Sequence, residues 1–326
     1  MVFSVLVGGA RGACAASFAF TPLNTDGAVP ATPEAINSSD QVVGITNDSK
    51  GDSVGFVWSS GNLTIVDGSL ELSAINDSGI AVGAPWLNEP SYYVSYDISS
   101  GLLSEISPDL GLHGRVVFFP SGINEAGEVT GIAYARSGQT TGFITVDGKS
   151  SKLLPPHQKQ SVPIALNTKG DIVIDYHGSD SAYNSYLFKK GKFSNIAVPG
   201  ASTTTAALIT TNDMIGGSFT SSGVTSGFLL SHGDYTTYSP AGATSSTVSG
   251  VGPSGQVYGT FVDAAGTTHG FVNVSGIYHQ IDAPNSKFTE IFGAGKSGSI
   301  YGLYQSENGG AYGYIATCPK KDVCTQ

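Results

Sequence analysis

One short pattern returns seven times along this chain, and such a period restricts it to a stacked or ring-like array of one small unit. Three copies are clear: AINSSDQVVG ends at Gly44, AINDSGIAVG at Gly83 and GINEAGEVTG at Gly131. Four are weaker: ALNTKGDIVI ends at Ile174, ALITTNDMIGG at Gly217, GVGPSGQVYG at Gly259 and GAGKSGSIYG at Gly302. The anchors are 39, 48, 43, 43, 42 and 43 residues apart.

The sixth copy shows what one unit contains. Residues 247–250 are β-prone and lead into the turn Gly252-Pro253-Ser254-Gly255. A second strand follows over 256–262, a third over 269–274 carrying Gly270-Phe271, and a fourth over 277–281 after the tight Ser275-Gly276 connection. The Asn-x-x-Gly segments, such as Asn124 to Gly127, place Asn and Gly where a type I turn prefers them. Glycines inside the second strand (Gly44, Gly131, Gly259) predict a close approach between sheets. The third-strand pairs Gly55-Phe56, Gly142-Phe143, Gly227-Phe228, Gly270-Phe271 and Gly313-Tyr314 supply rings to fill the space between sheets.

Four strands in about 43 residues are the size of one propeller blade. The expected fold is therefore all-β: a seven-bladed β-propeller of four-stranded antiparallel blades spanning 17–317. The seventh copy lacks a fourth strand, and SFAFTPL at Ser17 to Leu23 has the composition to supply it. The N-terminal strand is thus expected to complete the last blade and close the ring.

The ends of the chain speak to location. Residues 1–16 are small and apolar and finish in Ala-Cys-Ala-Ala, the form of an atypical secretory leader cleaved after Ala16. Residues 318–326 form a tail whose Cys318 and Cys324 would pair as a disulfide in an oxidising compartment. The expected location is extracellular or in the cell envelope. A formal charge of −10, with 15 scattered Lys and Arg, excludes a nucleic-acid surface, and no apolar run is long enough to span a membrane.

The unit, Gly/Ala-Ile-Asn-x-x-Gly-x-Val-x-Gly followed about eleven residues later by Gly-Phe, resembles the bacterial extracellular repeat family named for a His-Ala-Phe signature. The resemblance covers Ser17 to Thr317, and His269-Gly270-Phe271 is the copy that keeps the histidine. It implies export and repeated β-structure, and it brings no catalytic residues. Copies two and four depart most: Tyr92-Tyr93 and Ser185-Tyr186 replace Gly-Phe, and Ile174 replaces the strand glycine.

Chemistry is sparse. Gly51-Asp52-Ser53-Val54-Gly55 matches a nucleophile elbow in letters, but that elbow needs a strand-turn-helix setting and Gly55 belongs to the repeat. The oxygen-rich loop from Asn47 to Asp52 lacks the terminal Glu of an EF-hand and reads as an ordinary turn. The six histidines are dispersed without a zinc motif. Asp171, Asp175, His177 and Asp180 cluster along one strand and loop, a pattern of surface polarity more than of acid-base chemistry. Trp86, Tyr92, Tyr93, Tyr96, Phe118 and Phe119, near Asn88 and Glu89, would suit a sugar-stacking surface, but most of these rings read as core and Trp86, in a second-to-third-strand loop, is the exception.

In a propeller the second-to-third-strand loops share one face with the fourth-to-first connections. Those loops fall near residues 46–54, 84–91, 133–141, 175–184, 219–226, 263–268 and 304–311, and loops on a rigid scaffold are where binding residues concentrate. The expected ligand face therefore collects Trp86, Glu89, Tyr134, Arg136, Tyr176, His177, Asp263 and Glu307. The expectation is a monomeric, non-enzymatic binding or scaffold module for a glycan, surface polymer or cell-surface protein, with no cofactor or metal. A secreted glycan-active hydrolase or lyase is the alternative, and it would need carboxylates or His converging at the axial mouth.

Overall fold

The computed structural model describes residues 18–23, 31–66, 68, 70–85, 91–177 and 183–318, without the side chains of His177 and Tyr183. The expected leader, Trp86, Asn88, Glu89, Asp180 and Cys324 lie outside these residues. The described residues form strands and turns with no helix.

Strand β1 (Ala19–Pro22) precedes the first sheet, made of β2 (Thr32–Ile36), β3 (Val42–Asn47), β4 (Ser53–Ser59) and β5 (Asn62–Val66). The second holds β6 (Leu70–Ile75), β7 (Ile80–Pro85), β8 (Tyr93–Asp97) and β9 (Leu102–Ile106). The third holds β10 (Val116–Ile123), β11 (Val129–Ala135), β12 (Thr140–Val146) and β13 (Lys149–Leu153). The fourth holds β14 (Val162–Leu166), β15 (Ile172–His177), β16 (Tyr183–Lys189) and β17 (Lys192–Ile196). Two further repeats contribute β18 (Thr203–Ile209), β19 (Ile215–Ser221), β20 (Val224–Ser231) and β21 (Asp234–Tyr238), then β22 (Ser245–Val251), β23 (Val257–Val262), β24 (Thr268–Val274) and β25 (Ile277–Ile281). The last sheet is β26 (Ser286–Ala294), β27 (Ile300–Ser306) and β28 (Ala311–Thr317), with β1 on its outer edge.

The expected seven separate four-stranded blades are thereby corrected. Five blades of four antiparallel strands stand alone, and the strands of the fifth and sixth repeats share one eight-stranded sheet. The junction is a parallel pairing of β20 with β22 at Thr225 and Ser245. Its cause is the two-residue turn Ser222-Gly223, where φ is +51° and +80°. A turn with both central residues at positive φ keeps the hairpin paired to its tip, so Ser221 pairs with Val224 and β20 extends far enough to meet β22.

The first strands of successive repeats touch in a closed cycle, β2 to β6 and onward to β26, which returns to β2. The architecture is a β-propeller. Rings from the third strands fill the spaces between sheets: Phe56, Phe143, Phe228, Phe271 and Tyr314 are all buried. In the second repeat, Gly83 pairs with Val94 where Gly44 pairs with Phe56, so Tyr93-Val94, not Tyr92-Tyr93, stands in the Gly-Phe position.

The repeat motif has a different physical meaning from a turn preference alone. Buried Asn37 donates from Nδ2 to the Asn76 carbonyl at 3.1 Å, Asn76 to Asn124 at 3.1 Å, Asn124 to Asn167 at 3.3 Å and Asn167 to Thr210 at 3.2 Å. The Oδ1 of each accepts backbone N–H groups of its own turn, as from Ser39 and Gln41 at 3.0 Å for Asn37. One side chain thus fixes its turn and staples it to the next repeat. The second-strand glycines also serve another purpose than expected. A Cβ on Gly83 would lie 1.9 Å from the Glu71 carbonyl, and one on Gly302 1.9 Å from the Glu290 carbonyl. The close approach is to the first strand of the same sheet, where a β-bulge pushes a carbonyl inward. Glycines of the third strand face the next repeat instead: a Cβ on Gly313 would lie 1.9 Å from the Ala31 carbonyl.

At the seam, Ala19 to Pro22 pair with Thr317 to Tyr314, and Phe20 packs 4.9 Å from Tyr314. Tyr301 Oη donates to the Glu34 carbonyl at 3.0 Å, Ser297 Oγ to Asp40 at 2.6 Å, and Lys296 pairs with Asp77 of the second repeat. Removing residues 1–22 should lower the melting temperature by several degrees, because it bares the edge of β28 and uncovers Tyr314; an unchanged melt in calorimetry would contradict closure by β1. Asn76→Ala should cost about 2 kcal/mol in urea unfolding, since it strips the Ile80 N–H of its side-chain acceptor and removes the inter-repeat donor to the Asn124 carbonyl, which keeps only the Gly127 N–H. An unshifted midpoint would remove the Asn staple from the account.

Candidate functional site

Each first strand carries a register shift opposite its second-strand anchor, and the extra residues there are Glu34, Ser73, Ser121, Ile164, Ala207, Ser249 and Phe292; β26 has a further shift at Lys287. All seven line one axial cavity of about 1080 Å³. A bulge re-aims a side chain that regular alternation would place between sheets. The same column is legible in the sequence as the third residue before each motif Asn or its equivalent.

The cavity wall is chemically uneven. Glu34 on β2 and Glu290 on β26 line it, and Glu71 on β6 stands close enough to Glu34 to act on its charge. Glu34 is open to cavity water, yet enclosure by the surrounding walls, and then the Glu71 carboxylate, push its pKa from 4.5 to about 7. Burial raises Glu71 and Glu290 as well. At the turn end, Asp77 accepts from the Ser38 N–H at 2.8 Å and from Lys296, and Glu125 accepts from the Asp77 N–H at 2.7 Å.

The expected loop-face residues are not gathered into this cavity. Tyr134, 47% exposed, sits on β11 and not in a loop, with exposed Arg136 just beyond it. Tyr176 and His177 also belong to a strand, β15, where the Tyr176 ring lies 5.0 Å from that of Tyr186. Asp263 does lie in its loop. Its carboxylate accepts from the N–H groups of Thr267 at 2.8 Å and Ala265 at 2.9 Å and stands 3.5 Å from His269 Nε2, and the Thr267 bond leads in holding its pKa low. Glu307 is exposed in its loop, its N–H donating to the Asn285 carbonyl at 2.9 Å.

Other sequence candidates are absorbed by structure. Ser53 opens β4 within a hairpin, away from any strand-turn-helix setting. Asp48 spends its carboxylate on the N–H groups of Lys50 and Asp52. Asp171 is buried against Lys189 at 2.8 Å, while Asp175, raised to about 6 by burial, is held by Ser185. Tyr93 and Phe118 are core. The sequence reading missed Asp282, which meets His269 Nδ1 at 3.0 Å and accepts from Gln280 at 2.6 Å. Among the described residues no group of three or more His, Cys, Asp or Glu is placed to hold a metal ion, and no helix is long and apolar enough to cross a membrane.

No protein-family model matches the chain, and no curated protein does. Solved structures do. The β-propeller domain of the Trilobed protease from Pyrococcus furiosus, described as having an open velcro topology, superposes with a TM-score of 0.65 at 11% identity, covering 90% of this chain and 96% of that one. A puromycin-hydrolyzing peptidase of Mycobacterium tuberculosis gives 0.65 at 10% identity over 94% of this chain, which spans only 55% of that protein. The WD40 β-propeller domain of Doa1 gives 0.56 at 12% identity, covering 95% and 100%. These likenesses establish the propeller scaffold. They carry no activity across.

The raised carboxyls set a pH dependence. A carboxyl whose folded pKa exceeds its unfolded value holds a proton more tightly when folded, so its ionisation destabilises the native state. For Glu34 that cost is complete above about 7 and vanishes below 4.5; Asp175, raised to about 6, acts in the same sense. Thermal stability should therefore rise as pH falls from 8 to 5.5, and Glu34→Gln should flatten most of the rise above pH 6. A variant that keeps the full slope in pH-dependent calorimetry would refute the assignment to Glu34.

Proposed function

We propose that the chain is an exported propeller that binds a glycan, surface polymer or cell-surface protein through the face bearing the second-to-third-strand loops. The observation that carries this reading is Tyr134. It presents a half-exposed ring, with the Arg136 side chain also exposed beyond it, at the end of a strand paired on both sides to β10 and β12. An aromatic face beside a cationic donor, on a rigid support, is the arrangement that stacks a sugar ring and orients its hydroxyl or acidic groups. Export is supported by the leader-like N-terminus and by Cys318, which is disulfide-bonded, as an oxidising compartment favours. The resemblance of the repeat unit to the His-Ala-Phe repeat family accords with both.

A glycan array probed with the chain from residue 17 onward tests the reading, alongside a panel of hydrolase substrates. Binding should be lost by at least about tenfold, roughly 1.4 kcal/mol, in Tyr134→Ala and in Arg136→Ala, with no fall in melting temperature. Retained binding in both variants would overturn the loop-face assignment. The hydrolase alternative has one observation in its favour, the Glu34 carboxyl poised near neutrality in the cavity. Turnover that survives the Tyr134 change and disappears in Glu34→Gln would make that the function.

A further inference from the structure

The axial cavity holds a feature that packing of the repeats does not use. In the second and third repeats the bulge residue is a serine that staples its neighbour: Ser73 Oγ donates to the Pro120 carbonyl at 2.7 Å, and Ser121 Oγ to the Pro163 carbonyl at 2.7 Å. Each acceptor is the residue just before the next bulge. In the first repeat this position belongs to Glu34, and the equivalent carbonyl is that of Leu72. An ionised carboxylate accepts hydrogen bonds and cannot donate one, so above neutrality Glu34 cannot act as the serines do.

Its charge is left for something else. Among the described residues no ion pair involves Glu34, Glu71 or Glu290. These three lie on β2, β6 and β26, first strands of consecutive repeats; Glu34 and Glu290 make one arc of the wall acidic, with Glu71 close behind Glu34. Lys296, the ammonium lining this arc, is committed to Asp77 at the turn end. The arc contributed by β14 and β18, on the far side of the cycle, presents Ile164, Leu166 and Leu208, each partly exposed to the cavity. A volume of about 1080 Å³ is ample for a small organic ligand.

We propose that the axial cavity binds an organic cation with an aliphatic body, its ammonium toward Glu34 and Glu290 and its chain against Ile164 and Leu208. Charge complementarity chooses the cation, and the apolar lining, with Ile36 and Phe292 beside the glutamates and Ile164, Leu166 and Leu208 on the far side, distinguishes it from a bare metal ion, which would leave those side chains without a role. The site is separate from the loop face, so it stands or falls independently of the glycan-binding reading.

Hexylamine is the probe, titrated calorimetrically into the full chain at pH 8, where Glu34 is ionised. It should bind with a dissociation constant of about a millimolar, as suits a ligand of this size. Binding should weaken on the order of tenfold at pH 5.5, in Glu34→Gln and in Glu290→Gln, a loss of about 1.4 kcal/mol. Circular dichroism of both variants establishes that they remain folded, and either one suffices if the other does not fold. 1-Hexanol, with the same chain and no charge, should bind far more weakly than the amine. Equal binding of the alcohol, equal affinity in the Gln variants, displacement of hexylamine by millimolar calcium, or no binding at all would each overturn the proposal.

Discussion

The buried asparagine amide is the interaction on which this ring depends. A propeller must solve two problems at the end of every first strand: reversing the chain within a repeat and fixing the angle to the next one. Asn37, Asn76, Asn124 and Asn167 do both, the oxygen closing the local turn and the nitrogen reaching the neighbour's carbonyl. Because the amide is buried, each of its groups must be matched, and a shift between repeats would break several bonds at once. The angle between units therefore has little freedom, which is what allows identical geometry to add up to a closed circle.

The staples stop at Thr210, whose hydroxyl serves its own turn by accepting the Met214 N–H, and at Gly252 and Gly295, which have no side chain, and other contacts take over. The shared sheet ties β20 to β22 where the first staple is missing. Between the sixth and seventh repeats, Thr260 Oγ1 accepts the Ile291 N–H at 3.0 Å. Across the chain ends, Lys296, Ser297 and Tyr301 reach into the first and second repeats. Four of the seven junctions are thus held by one repeated device and three by particular solutions, and the acidic arc of the cavity spans one junction of each kind, β26 to β2 and β2 to β6.

Much of this was legible in the sequence, for identifiable reasons. The period, the four strands per repeat and the core rings follow from residue alternation and from Gly-aromatic spacing, which are local signals. What escaped depends on pairing. Whether two repeats merge their sheets turned on the two-residue reach of Ser222-Gly223, a matter of strand length. The second-strand glycines looked like contacts between sheets because a bulge in the partner strand leaves no mark on alternation. The same bulges turned Glu34 into the cavity, whereas a regular strand would have hidden that column. Tyr134 and Tyr176 were placed in loops although pairing carries both strands past them.

The staples have a direction. Every amide serves the repeat that follows it, so during synthesis from the N-terminus each finished turn holds a donor ready for a carbonyl not yet made. That order suits docking repeat by repeat as the chain emerges. Strand β1 is the exception, translated before all its partners and paired only when β28 emerges. For that whole interval it is an unpaired strand, and one of only four residues, short enough to offer passing chains a poor template while it waits.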